Sequence, residues 1–432
     1  MNSFAEAIRQ HATHRMLTPS TRLLDLSPAP LSLDAIIVPA ARPAAHLDHA
    51  VTLARAADCW LLILCSGRLD RTEAVMFLGA RSYRKAVAID LPRDYSHGLL
   101  RFPELAAIHN ELPEACGLYS TDLSMKRNIG LLLARLMGWR RIFFLDDDIR
   151  DIAYPNLQRT VDMLGSFSAA GLWVTDFPDN SIVCHANRET GGSQDVFVSG
   201  AALAVDCESD IGFFPDIYNE DWLFMFDYAS AGKLANSSLE ATQLCYYPFA
   251  KAKRAAWQEF GDVIAEGLYT LLHLGLEVTQ ATGEYWAHFL EARRNFLEAI
   301  LTRLPNAHPE IRGEIQMMVE QAEKCLQTIK PDLCVRYVQA WRHDLADWKR
   351  WLPGIAEKPS IEAALLEMEL PFATPGSNIA KILPHWAEAE PSVAAGAVTI
   401  PLFDTLPEMS AHAKILSPAP TIGVNDSSIY LG

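Results

Sequence analysis

Three short runs of apolar residues without polar alternation constrain the fold of this chain most strongly. The runs are AIIVPA at residues 35–40, CWLLILCSG at residues 59–67 and RRIFFL at residues 140–145. A strand whose consecutive side chains are all apolar is covered on both faces, as in a parallel sheet flanked by helices. Helical patterns separate the runs, so we predict an α/β fold with a mostly parallel central sheet over residues 31–250.

The texture of the sequence changes outside this region. Residues 1–30 combine a helical pattern with a Pro/Ser-rich connector and are predicted to form an N-terminal extension. Residues 251–352 contain long stretches with apolar residues at helical spacing, which predicts a C-terminal helical region. Residues 353–432 are Pro-rich, and we expect a loop-dominated tail that packs on the body.

The formal net charge of −16, from 37 basic and 53 acidic residues, argues against broad nucleic-acid binding, which requires a basic surface. The eight cysteines are scattered without a CxxC pair, which argues against a zinc or redox motif and favours reduced thiols. No segment resembles a signal peptide, and none is long and apolar enough to span a bilayer. We therefore expect a soluble, cytoplasmic protein.

The third apolar run ends in three consecutive aspartates, Asp146, Asp147 and Asp148. If the strand continues, Asp146 and Asp148 point one way and Asp147 the other. Adjacent carboxylates repel one another, and a divalent cation would compensate them; oxygen ligands favour Mg²⁺ or Mn²⁺. At the carboxyl end of a parallel strand, such an ion would bridge a nucleotide diphosphate. The alternative is a solvated acidic loop in which Asp148 or Asp151 begins a short helix.

A helix is predicted from about Ser124 to Met137, with Ser124 as its N-cap and Gly138 beyond its end. Lys126 and Arg127 lie in its first turn, where cations oppose the helix macrodipole. A bound phosphate or nucleotide would relieve that conflict. The alternative is that both side chains simply reach solvent.

A second acidic motif follows a strand predicted at residues 196–205, which has small residues at 199–201. Asn219 is expected to cap a helix that begins with Glu220 and Asp221. A carboxylate in a partly apolar cleft is a good candidate for a general base, so Asp221 could deprotonate an acceptor hydroxyl. Aromatic side chains in the same segment would suit stacking on a sugar ring. They are Phe213, Phe214, Tyr218 and Trp222. By itself the motif is an ordinary capped helix.

Taken together, these elements resemble GT-A-fold glycosyltransferases, the family-2-like members of the nucleotide-diphospho-sugar transferase superfamily. AIIVPAAR and CWLLILCSG resemble the first two strands, and SMKRNIGLLLARLMGW followed by IFFLDDDI is similar to the helix that leads into the Asp-x-Asp strand. VSGAALAV and YNEDWLF resemble the acceptor-side strand and the Glu-Asp motif. The resemblance covers residues 31–250. It implies a GT-A, Rossmann-like fold and metal-dependent transfer of a hexose from a UDP- or GDP-sugar to a hydroxyl acceptor. The Glu-Asp helix start favours inversion of the anomeric centre, and the alternative is retention, in which Asp221 would position the substrate.

The resemblance also implies roles for individual residues. Asp221, beside Glu220, would be the catalytic base, Asp148 would bind Mn²⁺ or Mg²⁺ directly, and Asp146 would contact the ribose or the metal. The residues expected to bind the donor are Pro39, Arg42, Ser66, Lys126, Arg127, Asp146 and Asp147. The residues expected near the acceptor are Gly200, Ala201 and Trp222.

The sequence departs from the family pattern in two places. Its second strand ends in CSGRLD rather than in the acidic cluster common to many members, which leaves base recognition open. A third metal ligand is not identified, although four polar residues are available. They are His185, Gln258, Asp262 and His273. The sugar, the nucleobase, the acceptor and the oligomeric state are not predicted.

Three other functions fit parts of the pattern. A nucleotidyltransferase usually has a glycine-rich basic loop after its first strand, whereas PAARPAAHLD has one arginine and no glycine. A phosphohydrolase would use Asp146 as nucleophile and Asp148 as acid–base, but Arg150 stands where such enzymes prefer a small hydroxyl residue. A catalytically inactive nucleotide-sugar-binding protein on the same scaffold is the third.

Overall fold

The computed structural model describes residues 17–18, 29–116, 121–175, 181–193 and 198–376. Its strands are β1 (Ala35–Ala40), β2 (Trp60–Cys65), β3 (Ala86–Asp90), β4 (Arg141–Leu145), β5 (Ile149–Arg150), β6 (Ala169–Thr175), β7 (Ala202–Asp206), β8 (Leu234–Gln243) and β9 (Phe372–Ala373). Over the described ranges these strands form one sheet in the order β5-β8-β6-β7-β4-β1-β2-β3-β9. The predicted α/β fold class is therefore confirmed at the level of a central sheet with helices.

The half of the sheet that contains the three predicted runs is parallel. Strand β1 pairs in parallel with β2 and with β4, so that Ile37 lies between Leu62 and Phe144. All six residues of β1 are buried, as are the last five of β2. Burial of every residue explains why these strands read as apolar runs without alternation.

The other half of the sheet is mixed, so antiparallel strands join the mostly parallel sheet that the sequence predicts. Strand β7 is antiparallel to both of its neighbours, β4 and β6, whereas β6 and β8 are parallel. The first four residues of β7 are buried, so its composition resembles that of a parallel strand although its direction differs. The strand predicted at residues 196–205 begins only at Ala202, after a turn at 200–201; residues 194–197 lie outside the described residues.

The described residues form twelve α-helices. They are α1 (Asp48–Ala57), α2 (Arg71–Ala80), α3 (Pro103–His109), α4 (Leu123–Leu136), α5 (Tyr154–Asp162), α6 (Ile182–Glu189), α7 (Glu220–Ser230), α8 (Lys253–His273), α9 (Gly283–Arg303), α10 (Arg312–Leu326), α11 (Pro331–Trp351) and α12 (Ile361–Glu367). Helices α8 to α11 lie between residues 253 and 351, within the segment of helical sequence pattern. In the segment after residue 353, where a loop-dominated tail is expected, the structure has helix α12 and strand β9. Residues 377–432 and most of 1–30 lie outside the described residues.

Helix α4 confirms the predicted helix before the aspartates to within a residue at each end. Gly138 has φ +64°, as expected for a glycine just beyond a helix. The predicted N-cap is wrong, because the helix begins at Leu123 and the Ser124 hydroxyl instead donates to the carbonyl of Pro215, at 2.8 Å. Ser124 therefore anchors α4 to the chain that leads into α7.

Two apolar clusters cover the two faces of the sheet. Ile37 belongs to the cluster that also contains the buried side chains of α4, α7 and the helices after residue 253. Ile36 and Val38 belong to the other cluster, with α1 and α2. Three tryptophans of the helical region, Trp286, Trp341 and Trp348, are almost completely buried in the first cluster. The site described below therefore stands on a sheet edge supported from both faces.

The cysteines differ from the expectation of reduced thiols in one pair. Cys116 and Cys325 form a disulfide, with their Cα atoms 4.5 Å apart, between a short turn and helix α10. They are separated by 209 residues, and no local pattern identifies such a pair. The cysteines at positions 59, 65, 184, 207 and 334 are free thiols. Within the described ranges, none of the helices combines the length and apolarity needed to cross a bilayer.

Candidate functional site

The three aspartates lie in a turn between β4 and β5 rather than in a continuing strand. The amide of Ile149 donates to the carbonyl of Asp146 at 3.1 Å, which closes this turn. The prediction that Asp146 and Asp148 share a face is therefore wrong. Asp147 and Asp148 both pair with Arg42, whereas Asp146 pairs with Arg127.

Arg42 and Asp147 join the loop after β1 to the acidic turn. One carboxylate oxygen of Asp147 accepts hydrogen bonds from the amides of Ala41 and Arg42 at 2.8 and 2.9 Å, and the other pairs with the Arg42 guanidinium. Since the Asp147 side chain is 2% exposed and both of its oxygens are engaged, its role here is to hold the loop in place.

Asp148 lies between two elements of the site. Its carboxylate is 2.9 Å from a guanidinium nitrogen of Arg42, and the side-chain amide of Gln243 donates to it at 3.4 Å. The backbone carbonyl of Asp148 also accepts from the amide of Leu244 at 3.0 Å. Gln243 was not identified from the sequence, because a polar residue at a strand end carries no specific signal.

Arg127 connects the acidic turn to the start of helix α7. One of its terminal nitrogens lies 3.1 Å from each carboxylate oxygen of Asp146, and the other pairs with Glu220. The Arg127 side chain is 3% exposed. Two carboxylates of the protein therefore compensate the positive charge of Arg127 in the first turn of α4. The alternative in which the Arg127 side chain reaches solvent is wrong.

Lys126 connects the ends of β1 and β2. Its ammonium group donates to the hydroxyl of Ser66 at 2.7 Å and to the carbonyl of Ala40 at 3.0 Å, and it lies 3.1 Å from Asp122. The side chain is 1% exposed, so it does not reach solvent. The structure thus brings Ser66 and Lys126 together.

Asp221 is held by two backbone amides. One carboxylate oxygen accepts from the amide of Gly200 at 2.6 Å and the other from its neighbour Trp222 at 2.9 Å. A Cβ on Gly200 would lie 2.7 Å from the Cβ of Asp221 and 2.9 Å from Arg127, so only glycine allows this approach. The small residue recognised in the sequence therefore makes room for the carboxylate pair.

Burial raises the pKa of both carboxyl groups at the start of α7. Desolvation raises the pKa of Glu220 to about 8, although Arg127 opposes the shift. Desolvation also raises the pKa of Asp221, against the Arg127 charge and the Gly200 amide. A carboxylate with a raised pKa is a stronger base than an exposed one, which is the property a proton acceptor requires.

Two carboxylates of the site and one arginine retain access to solvent. The side chains of Asp146 and Arg42 are 23% and 24% exposed, compared with 9% for Asp148. Asp221 is also partly exposed. A ligand that reaches this edge of the sheet would therefore meet Asp146, Arg42 and Asp221 first.

Two of the remaining predicted residues contribute backbone to this edge. The carbonyl of Ala201 accepts from the amide of Asp146 at 2.9 Å, and Pro39 lies in β1 opposite Leu64. Trp222 is different, because it is 5% exposed and its ring packs edge-on against Tyr269. Three of the aromatic residues expected to stack on a sugar belong instead to the core. They are Phe213, Phe214 and Trp222.

The candidates for a third metal ligand lie in other surroundings. The carbonyl oxygen of the Gln258 side chain accepts from the amide of Ile182 at 2.9 Å, and Asp262 pairs with Arg293 at 2.7 Å. His185 packs edge-on against Tyr246, and His273 ends helix α8. Among the described residues, no group of three or more His, Cys, Asp or Glu side chains is arranged to hold a metal ion.

The acidic turn fits a divalent cation only as a site shared with a substrate. Proteins usually hold Mg²⁺ through one or two carboxylates together with substrate phosphates and water. Asp148 is suited to that role, because its neighbour Arg42 can transfer its pairing from the carboxylate to a phosphate. Asp146 is less suited, since both of its oxygens already face Arg127.

Neither a family model nor a curated protein matches this chain. Among solved structures, the chain is similar to the mannosyltransferase PcManGT from Pyrobaculum calidifontis, determined in complex with GDP-Man and Mn²⁺. The two chains are 14% identical with a TM-score of 0.36, and the alignment covers 78% of this chain and 92% of that one. At this level of similarity, the function of this chain has to be argued from its own residues.

Proposed function

We propose that this protein is a glycosyltransferase that moves a hexose from a nucleoside-diphosphate sugar to a hydroxyl acceptor. The observation that carries the proposal is the bridge that Arg127 forms between Asp146, after β4, and Glu220, at the start of α7. The bridge couples a partly exposed acidic turn to a carboxylate pair of raised pKa. Such a transfer requires both groups side by side, one for the donor and one for the acceptor.

On the donor side, Arg42 and Asp148 are the residues placed to meet a diphosphate. The planar guanidinium of Arg42 suits a phosphate, and the Arg42 side chain is 24% exposed. Asp148, together with the diphosphate, would hold Mn²⁺ or Mg²⁺, and such an ion supplies positive charge where the leaving group becomes negative. Asp146, the most exposed of the three aspartates, is assigned to a ribose hydroxyl.

On the acceptor side, Asp221 acts as the general base. The acceptor hydroxyl gives its proton to the Asp221 carboxylate while its oxygen forms a bond to the anomeric carbon. The bond from that carbon to the diphosphate oxygen breaks on the opposite face, and the electron pair leaves with the diphosphate. The anomeric centre is therefore inverted, and the proton remains on Asp221 until solvent removes it.

Arg127 and Lys126 support this reaction by holding other residues of the site in place, without contacting the substrates. Both are almost fully buried, and each forms ion pairs with carboxylates of the protein. Arg127 fixes the spacing between the donor turn and the base, and Lys126 fixes the ends of β1 and β2. We therefore assign them positioning roles in place of the donor contacts implied by the sequence resemblance.

The test is incubation of the purified protein with UDP- and GDP-hexoses and a panel of hydroxyl acceptors in the presence of Mn²⁺, with acceptor-dependent release of the nucleoside diphosphate as the readout. Release by the wild type, lost in Asp221→Asn and retained in Glu208→Gln, supports the proposal. Glu208 is an exposed acid after the far end of β7, paired with Arg140, and provides a matched change of acid to amide.

Each of the other functions gives a positive result in a different assay of the same protein. Exchange of labelled pyrophosphate into a nucleotide sugar would identify a nucleotidyltransferase. Metal-dependent hydrolysis of simple phosphate monoesters would identify a phosphohydrolase. Binding of a nucleotide sugar without release of any product, across a panel of hydroxyl acceptors, would identify a binding protein. Each of these results would overturn the proposed transfer.

A further inference from the structure

A group of four charged side chains is buried behind the start of helix α7. Arg293 of α9 pairs with Glu259, Asp262 and Glu266, all on α8; we call these four residues the Arg293 cluster. Arg293 makes two hydrogen bonds to Glu259 at 2.8 Å, one to Asp262 at 2.7 Å and one to Glu266 at 2.8 Å. None of the four side chains is more than 3% exposed.

The helical spacing and the charge of the Arg293 cluster explain how it assembles. Its three acids stand at positions i, i+3 and i+7, which places them on one face of α8 toward α9. Three carboxylates with one guanidinium leave a formal excess of negative charge. Burial raises the pKa of Glu259 to about 7 and that of Glu266 to about 8. A buried arrangement of this kind is costly, because each charged group loses its hydration.

One member of the Arg293 cluster reaches the candidate active site. The side-chain amide of Asn219 donates to Asp262 at 3.0 Å, through the carboxylate oxygen that Arg293 does not hold. Asn219 immediately precedes Glu220 and Asp221 and has φ +64°, in the left-handed region. Its carbonyl accepts from the amides of Trp222 and Leu223 at 3.1 and 3.4 Å. Asn219 thus sets the direction in which α7 starts.

Helix α8 also touches the chain just before Asn219. A Cβ on Gly261 would lie 2.3 Å from the carbonyl oxygen of Tyr218, so the helix and this backbone are in direct contact. A third contact follows, because the hydroxyl of Tyr269 donates to the carbonyl of Trp222 at 3.0 Å. Helix α8 therefore fixes the backbone on both sides of the Glu220–Asp221 pair.

We propose that Asp262 is a positioning residue, which acts through Asn219 to aim Glu220 at Arg127 and Asp221 at the acceptor. This inference rests on the proposed function, in which Asp221 is the base. Arg293, itself paired with Glu259 and Glu266, holds Asp262 in the orientation that meets Asn219. If Asn219 left its left-handed conformation, helix α7 would start in another direction and Asp221 would move away from Gly200. A displacement of about 1 Å costs turnover on the order of a hundredfold.

The test is an exchange of the two partners. In Asn219→Asp alone, two carboxylates face each other. In Asp262→Asn alone, the new side chain has only one oxygen, so its NH2 group must point at a donor of either Arg293 or Asn219. In the double variant, the amide introduced at position 262 donates to the carboxylate introduced at position 219, and its oxygen still accepts from Arg293. We expect each single variant to lose turnover by about tenfold or more, and the double variant to recover most of it.

Asn219→Gly removes the tether but allows the left-handed backbone, and Ser238→Gly is its control. Ser238 is an exposed residue with φ +54° in β8, so glycine is equally tolerated there. We expect Asn219→Gly to lower kcat with donor affinity within about twofold of the wild type, and Ser238→Gly to leave both unchanged. Recovery in the double variant is a readout that general destabilisation would not give.

Hydrogen–deuterium exchange separates failure of this inference from failure of the proposed function. The amides of Trp222 and Leu223 should exchange faster in Asn219→Gly than in the wild type, whatever reaction the protein catalyses. Unchanged exchange, or single and double variants with equal turnover, would overturn the positioning role. If these amides exchange faster in Asn219→Gly and the wild type releases no nucleoside diphosphate, the positioning role of Asn219 and Asp262 stands and the proposed transferase function is rejected.

Discussion

Arg127 holds both carboxylate oxygens of Asp146 at 3.1 Å with one nitrogen and pairs with Glu220 through another. The two acids are 74 residues apart in the sequence and belong to opposite ends of the proposed reaction, donor and acceptor. A planar guanidinium can meet two carboxylates in different directions, whereas a lysine ammonium is a single point of charge. The geometry of the site therefore depends on this side chain being arginine.

We expect Arg127→Lys to lower turnover by about a hundredfold, because the ammonium cannot hold Asp146 and Glu220 together. We expect Arg127→Met to unfold more easily by about 3–5 kcal/mol above about pH 8, where Glu220 is ionised, since the variant leaves buried carboxylates without a cation. That loss should shrink as the pH falls and the acids become protonated. Denaturant unfolding of the variant and the wild type at several pH values measures this difference in the free energy of unfolding. Equal losses at low and high pH would contradict the assignment.

We expect Asp148→Ala to lose metal-dependent donor binding, because no other carboxylate of the turn is suited to share an ion with the diphosphate. Calorimetric titration with a nucleoside diphosphate, with Mn²⁺ and then with EDTA, measures this. Asp151→Asn is the control, because Asp151 is exposed and asparagine tolerates its φ of +61°. Normal Mn²⁺-dependent binding by Asp148→Ala would show that the acidic turn is not the donor site.

We expect Asp221→Asn to spare donor binding and to lower kcat by about 10²–10⁴, the usual contribution of a general base. The asparagine keeps an oxygen to accept from the Gly200 amide, so the turn should remain in place. In the wild type, activity should rise with pH through the pKa of Asp221, which burial places above the usual range. An activity that is flat down to the ordinary aspartate range would reject Asp221 as the base.

The parts of this site that local sequence predicts are those built from strands and helix ends. Strands β1, β2 and β4 are evident because nearly every residue in them is buried and apolar. The aspartates and the Glu-Asp pair are evident from their positions, because the aspartates directly follow an apolar strand and the Glu-Asp pair begins a helix. Local composition therefore identifies which residues carry charge at the edge of the sheet.

The pairings between those residues could not be predicted, because they join distant parts of the chain. Arg42 meets Asp147 across 105 positions, and Arg127 meets Glu220 across 93. The turn at residues 146–148 breaks the strand alternation on which the predicted directions depended. The tether from Asn219 to Asp262 spans 43 positions and depends on a single left-handed residue. Such contacts depend on how helices pack on the sheet, which residue spacing does not encode.

The Arg293 cluster gives a prediction about stability. Glu259 and Glu266 have pKa values raised by burial to about 7 and about 8, so the folded protein retains protons that the unfolded chain releases near its ordinary value of 4.5. Stability from this source is complete below that ordinary value and is lost as the pH rises toward 8. We therefore expect the free energy of unfolding to fall between about pH 5 and pH 8.

Glu266→Gln should remove part of this dependence. Its side chain still offers an oxygen to Arg293, and the cluster loses one unit of negative charge, leaving Glu259 and Asp262 to balance the guanidinium. We expect the variant to be more stable than the wild type near pH 8, by about 1.4 kcal/mol for each pKa unit removed, and to differ little near pH 5. Urea unfolding at both pH values, with the exposed Glu298→Gln as control, measures the difference. A variant that is less stable than the wild type at the higher pH would show that Glu266 is ionised there and stabilises Arg293 as a charged partner.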